Sequence, residues 1–432
     1  MRGDDILENI RIMPSSLKGE INIPPSKSLA HRAVICAGLS EGVSNISNII
    51  YSQDIKATIE GMKSLGVEIE NYIDNLSIKG KAYPILIKDT IDCIESGSTL
   101  RFLIPIALLT GEEIIFQGRG KLVSRPLNVY YDIFEKQGIE YKTSNGELPL
   151  KVKGKLKSGE FFVKGNISSQ FITGLMFTLP LLEGDSKIIM TTELESKGYV
   201  DLTIDCLKKF GIEVENNDYK EFYIKGNQKY KAMDYRVEGD FSQAAFWIVA
   251  GMLGKEIRCK DLNINSLQGD KVILDIAKEM GGKIEVRDDS IDVKQSTTKG
   301  ITIDASECPD LVPILSVLGA VSEGTTKIIN AERVRIKECD RLKAMATELN
   351  KIGAEVEELK DGLVIKGKKV LKGGVVDSWN DHRIAMAMAV ASIKCENELI
   401  ITNSRAVNKS YPHFWEDFEK LGGAVYEWSM GK

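Results

Sequence analysis

The stretch Pro24-Pro25-Ser26-Lys27-Ser28-Leu29-Ala30-His31-Arg32 sets Lys27, Ser28 and Arg32 where a helix should begin. Two prolines end an extended run, because the residue before a proline avoids the α region. An apolar run from Ala33 to Leu39 follows, ahead of Gly42. This reads as strand, turn and helix N-terminus. Such a terminus presents free backbone N–H groups and the positive end of the helix dipole, which suits a phosphate or carboxylate. Ser28 and Arg32 are four apart and share a helix face. An N-capped helix with solvated charges would give the same letters, and the recurrence of such helix mouths favours an anion site.

Glu95-Ser96-Gly97-Ser98-Thr99 precedes Leu100-Arg101, and small residues there let a backbone approach an anion closely. Arg125 stands before Pro126, which reads as a helix start. Ser168-Ser169-Gln170 opens a nearly all-apolar run, as either an N-cap or a polyol and phosphate grip, and Glu195-Ser196-Lys197-Gly198 is a second small-polar loop. Asp240 and Ser242 read as a plain cap. Cys308-Pro309-Asp310 places a carboxylate at a helix start, where it caps or serves as a general base. Arg333-Val-Arg335-Ile-Lys337-Glu338-Cys-Asp340-Arg341 is densely charged, and Lys337 beside Glu338 resembles an acid/base pair; a solvated charged loop is the alternative. Asp381-His382-Arg383 opens another apolar helix, and Lys409 precedes Ser-Tyr-Pro412. His31 and His382 read as capping or supporting residues, and three histidines in the chain argue against a metal cluster. Lys27, Arg125, Lys337, Arg341, Arg383 and Lys409 should project from corresponding loop edges. If those edges share a cleft, crowded cations need anions to neutralise them, most simply ligands with phosphate and carboxylate groups.

The elements that position these residues repeat. Amphipathic segments end in Gly66, Gly138, Gly211, Gly282, Gly353 and Gly423, at spacings of 72, 73, 71, 71 and 70. Glycine there is the expected left-handed residue after a helix. Between them lie apolar, buried-helix runs: Leu29–Leu39, Thr99–Leu109, Gln170–Leu181, Ser242–Leu253, Asp310–Ala320 and Arg383–Ile393. Each unit reads strand, apolar helix, strand, amphipathic helix, strand, strand, so the chain is α/β with six βαβ-type modules. Three modules per domain place one domain at 19–230 and the other at 1–18 with 231–432. The strand Asn9–Met13 crosses to the second domain, and the chain crossings near 19 and 230 form a hinge.

A chain of 432 residues exceeds one ordinary core. Its 43% hydrophobic and 28% charged residues suit a soluble globular protein. A net charge of −5 weighs against a nucleic-acid partner. The start, Met1 to Asn9, is acidic and lacks a signal-peptide core. The longest apolar run, Leu103 to Leu109, is far short of a membrane span of roughly 20 residues. Seven scattered cysteines without a CxxC pair point to a reducing cytoplasm.

Together, Pro25-Ser-Lys27-Ser28-x-x-x-Arg32, Ser96-Gly97-Ser98-x-x-Arg101, Arg125-Pro126, Ser168-Ser169-Gln170, Pro309-Asp310, Lys337-Glu338-x-Asp340-Arg341, Asp381-His-Arg383 and Lys409-Ser-Tyr-Pro412 resemble the motif set of the enolpyruvyl transferases. The match is to the branch that acts on shikimate 3-phosphate and runs from about residue 19 to 423. The resemblance implies an inside-out α/β barrel in two domains, with buried helices, solvent-facing sheets and an active site in the cleft between domains. It implies that Lys27, Ser28, Arg32, Ser168, Ser169, Gln170, Ser196, Asp310 and Lys337 hold shikimate 3-phosphate. It implies that Lys27, Gly97, Arg125, Gln170, Arg341, Arg383 and Lys409 hold phosphoenolpyruvate. Asp310 would be the base for the 5-hydroxyl, with Glu338 and Lys27 as candidates for the other proton transfers. No metal or cofactor is needed, and a cytoplasmic monomer is expected. Glu95 and Arg333 stand where many members carry Asn, and Ser98 where Thr is usual; Glu95 and Arg333 are left outside the site. Gly97 implies room for glyphosate in competition with phosphoenolpyruvate. Two rivals remain. A transferase acting on a UDP-amino sugar needs a loop cysteine, for which Cys93 is a poor match. Against a non-catalytic anion- or RNA-binding module stand the net charge of −5 and the absence of aromatic stacking motifs.

Overall fold

In a computed structural model the described residues are 9–428, so the acidic start, Met1 to Glu8, lies outside them. The chain divides into two compact units. One is Pro25–Glu238; the other joins the chain up to Pro24 with everything from Gly239 onward. The divisions fall slightly later than the 19 and 230 read from sequence. The reason is that Gly19–Asn22 pairs inside the second unit, while Tyr235–Arg236 pairs inside the first.

The Pro25–Glu238 unit contains α1 (Lys27–Gly38), α2 (Gln53–Ser64), α3 (Gly97–Ala107), α4 (Asn128–Gln137), α5 (Ser169–Thr178) and α6 (Lys197–Lys209). The other contains α7 (Phe241–Leu253), α8 (Ile273–Glu279), α9 (Val312–Ala320), α10 (Arg341–Lys351), α11 (His382–Ala391) and α12 (Phe414–Lys420). Odd-numbered helices are the apolar ones. Every residue of α7, α9 and α11 is buried. In α3 and α5 all residues are buried except Ser98 and Gln170. A helix apolar all round must be covered all round, and sheets and amphipathic helices do the covering.

Each unit has three four-stranded sheets of one topology. In the second repeat, Thr90–Asp92 runs parallel to Glu113–Gln117, which pairs antiparallel with Glu147–Lys153, and that strand with Glu140–Ser144. Ile91, Phe116, Leu150 and Val152 face the core. Three sheets borrow a strand from a distant part of the chain. Tyr235–Arg236 supplies the first strand of repeat one, beside Ile46. Gly19–Asn22 does so for repeat four, with Ile21 opposite Cys259. Asn9–Met13 completes the last sheet, Ile12 lying between Leu399 and Val425. Among the described residues no helix is long and apolar enough to cross a membrane.

The repeat glycines need one correction. Gly66, Gly138, Gly211 and Gly353 are left-handed as expected, but in the two Gly-Gly pairs the left-handed residue is the first, Gly281 or Gly422. The second is held to glycine by space: a Cβ on Gly423 would stand 2.1 Å from the Phe418 ring. At Gly66, φ is +89° and a Cβ would meet the Ile85 carbonyl at 2.9 Å. Gly66→Ala should therefore lower stability by about 1–2 kcal/mol. An unchanged urea midpoint would refute the need for a left-handed residue there.

Candidate active site

In the Pro25–Glu238 unit Lys27, Ser28, Gly97, Ser98, Ser169 and Gln170 sit on the first turns of the apolar helices, whereas Arg125 follows the turn Gly120–Ser124 and Ser196 precedes α6. Ser26, Ser96 and Ser168 cap α1, α3 and α5, accepting from Leu29 N, Thr99 N and Gln170 N. Lys27 Nζ donates to Asp54 Oδ2 at 2.7 Å. Ser28 and Arg32 share their helix face, for the Ser28 carbonyl accepts from Arg32 at 2.7 Å. Arg32 also donates to Thr203 Oγ1 and to the Tyr199 carbonyl, both at 2.9 Å, beside the Ser196 loop. Burial pushes Arg32 down to about 10, so it stays cationic at neutral pH. Ser196 is buried and left-handed, with φ of +56°.

Arg101 Nη1 donates to Gln170 Oε1 at 3.0 Å, and Gln170 Nε2 donates to Ser98 Oγ at 2.9 Å. The two residues that α3 and α5 leave uncovered therefore hold each other, with Ser169 adjacent to Gln170 on α5. Gly97 is the close approach of this group. A Cβ there would lie 2.7 Å from Arg125 Nη1 and 3.0 Å from Arg101 Nη1. Glu95 reaches instead towards Gly120, where a Cβ would meet its carboxylate at 2.5 Å. Cys93 is fully buried, and burial holds its thiol far above the ordinary range, so it is no loop nucleophile.

The other unit gathers ion pairs. Asp310 lies in the turn Pro309–Leu311 and forms no cap. It accepts from Arg341 Nη1 at 2.8 Å and Arg383 Nη2 at 3.1 Å, with Lys337 Nζ at 3.4 Å. Arg341, 1% exposed, also donates to Asp381 Oδ2 and Glu338 Oε2, each at 2.8 Å. Burial opposes its charge, but Asp381, Glu338 and Asp310 hold the guanidinium well above its usual range. Asp381 caps α11 through Arg383 N at 2.8 Å. Lys409 Nζ donates to the Asn380 carbonyl at 2.6 Å. Arg335 pairs with Asp340 and Glu358, and Arg333 donates to the Ser306 carbonyl. Part of the charged stretch is thus loop scaffolding.

The sequence of residues 12–418 matches the profile of the family described as EPSP synthase (3-phosphoshikimate 1-carboxyvinyltransferase). The chain belongs to the EPSP synthase family. Proteins named 3-phosphoshikimate 1-carboxyvinyltransferase from Clostridium novyi and Clostridium acetobutylicum are 73% and 62% identical to it. The first alignment covers 99% of this chain and 100% of the relative, the second 98% and 99%. The fold is that of a solved EPSP synthase from Acinetobacter baumannii, with a TM-score of 0.82 at 24% identity over 97% of this chain and 100% of that one. The two-domain inside-out α/β architecture is therefore the fold of this chain.

The structure adds to the charge argument. Four of the six cations already have carboxylate partners in this EPSP synthase family member: Lys27 pairs with Asp54, while Lys337, Arg341 and Arg383 share Asp310, Arg341 pairing also with Glu338 and Asp381. Asp54 was invisible as a partner because it looks like an ordinary first-turn acid of α2. Asp270 was missed as well. Its buried carboxyl lies near Ser242, Asp310, Arg383 and the α7 cap Asp240. Burial, then the Asp310 charge, push it up to about 7 against the pull of Arg383. Its GlyAsp context resembles any turn, so only burial reveals it.

An acid whose folded value exceeds the ordinary 3.8 favours the folded state only while protonated. Stability should fall as pH rises from about 4 to about 7, by a few kcal/mol. Asp270→Asn should flatten that slope in urea titrations at several pH values. An identical slope in the variant would remove Asp270 as its source. Gly97→Ala should displace Arg125 and raise the KM for phosphoenolpyruvate about tenfold; an unchanged KM would show that Arg125 has room to move.

Proposed function

We propose that this protein transfers the enolpyruvyl group of phosphoenolpyruvate to the 5-hydroxyl of shikimate 3-phosphate and releases phosphate. The observation that carries the reading is Asp310, a carboxylate held among Lys337, Arg341 and Arg383. Family membership and the name borne by the relatives support it. In this reading the two units serve one reaction. Lys27, Ser28, Arg32, Ser168, Ser169, Gln170, Ser196, Asp310 and Lys337 grip shikimate 3-phosphate. Lys27, Gly97, Arg125, Gln170, Arg341, Arg383 and Lys409 grip phosphoenolpyruvate.

Phosphate and carboxylate groups compete with Asp310 for the two arginines, because both offer the oxygen pairs that guanidinium prefers. As the arginines turn to the ligand, Asp310 loses the cations that suppress its basicity. It then takes the proton of the 5-hydroxyl while the oxygen bonds to C2 of phosphoenolpyruvate. C3 receives a proton from Glu338 or Lys27. The tetrahedral intermediate next loses phosphate from C2 and a proton from C3, which restores the double bond. Fixed cations on both anionic substrates supply orientation and charge stabilisation. The motif set lies within one chain, which supports action as a monomer. Seven buried free thiols fit the reducing cytoplasm.

Phosphate release should require shikimate 3-phosphate and phosphoenolpyruvate together, and UDP-N-acetylglucosamine should not replace the former. Release with the UDP-sugar alone as acceptor would overturn the assignment. Asp310→Asn should lower kcat by about 10²–10⁴-fold, while phosphoenolpyruvate binds no more weakly in calorimetry, since the arginines lose a competitor. Retained kcat would remove Asp310 from the base role. Lys27→Met should raise both KM values, and no change in either would place Lys27 outside the site.

A further inference from the structure

The turn that aims Arg383 and Lys409 is strained. Trp379 and Asn380 are consecutive non-glycine residues with φ of +54° and +52°. Such conformations are unfavourable for residues with a side chain and persist only when their surroundings enforce them. Much of the enforcement comes from Glu348 on α10, a carboxylate only 1% exposed. Its Oε1 accepts from Trp379 Nε1 at 2.7 Å and its Oε2 from Asp377 N at 3.0 Å. Lys351 Nζ neutralises it at 2.8 Å. Asp377 Oδ1 takes Trp379 N at 2.5 Å, and Ser378 Oγ takes Asn380 N at 3.2 Å.

Glu348 lies seven residues beyond Arg341, two turns along α10 on the same face. One helix face therefore holds the turn twice, Arg341 through Asp381 and Glu348 through Asp377 and Trp379. The turn in turn presents the Asn380 carbonyl to Lys409 and the Asp381 cap to Arg383. Glu348 bonds to Trp379, Asp377 and Lys351, none of them assigned to a ligand, so any effect it has on ligand binding passes through the turn.

We propose that Glu348 is a positioning residue for the phosphoenolpyruvate subsite, acting by locking the Asp377–Asn380 turn in the conformation that aims Arg383 and Lys409. This rests on the assignment of Arg383 and Lys409 to phosphoenolpyruvate made above. Steady-state kinetics on Glu348→Ala, Trp379→Phe and Lys409→Met test it. The KM for phosphoenolpyruvate should rise about tenfold in Glu348→Ala and about threefold in Trp379→Phe, with the KM for shikimate 3-phosphate moving less than about twofold. A role in stability alone would lower the melting temperature and leave both KM values unchanged. That result, or equal rises in both, overturns the proposal. If Glu348→Ala fails to fold, Trp379→Phe decides alone, since it deletes only the Nε1 bond. A rise in Lys409→Met without one in the other two overturns the role of Glu348. No rise in Lys409→Met overturns the subsite assignment and the proposal with it.

Discussion

Much of one unit is organised by the burial of a single guanidinium. Arg341 is almost wholly withdrawn from water, and a charge so placed is tolerated only when it is paired and hydrogen-bonded. Its three carboxylate partners come from three places: Asp310 ahead of α9, Glu338 ahead of α10 and Asp381 ahead of α11. Meeting the needs of Arg341 thus brings three helix mouths together. One of these carboxylates, Asp310, also pairs with Arg383 and Lys337, so the ion-pair network that permits burial also orders groups that would meet a ligand.

The Pro25–Glu238 unit reaches a similar end with mostly neutral groups. His31 Nδ1, Thr58, Thr99 and Ser96 form a buried chain with heavy-atom distances of 2.7, 2.7 and 2.8 Å. Burial, then the nearby Lys27 and Arg32, hold His31 well below its usual range, so it stays a neutral imidazole. Thr173 and Thr203 join α5 to α6 at 2.9 Å, and Arg101 ties α3 to α5 through Gln170. Hydroxyls suit this work because they both donate and accept, so a buried chain of them leaves few unsatisfied atoms. Lys27 and Asp54 add the local ion pair.

Repetition explains why the active residues recur at equivalent places. Each parallel strand leads into an apolar helix, and in α1, α3 and α5 the first turn is the one part of the helix that burial spares. Ser98 and Gln170 are the uncovered residues of α3 and α5 for that reason. The borrowed strands, Gly19–Asn22, Tyr235–Arg236 and Asn9–Met13, show that the repeats are spatial units first and chain segments second.

What the amino-acid sequence determined by itself was everything governed by near neighbours. Ser26, Ser96, Ser168 and Asp381 cap helices through bonds two or three residues away, and Gly66, Gly138, Gly211 and Gly353 end helices in the left-handed conformation that a local backbone rule predicts. Periodicity gave the six modules in the same way. The motif set, read as a resemblance, supplied the family. Tertiary structure alone decided who neutralises whom. Asp54, Asp270 and Glu348 look like ordinary surface acids in the letters, and the three cations on Asp310 come from positions 337, 341 and 383. Electrostatic and hydrogen-bond partners depend on distance in space and on exclusion of water, and neither is written in the spacing of residues along a chain.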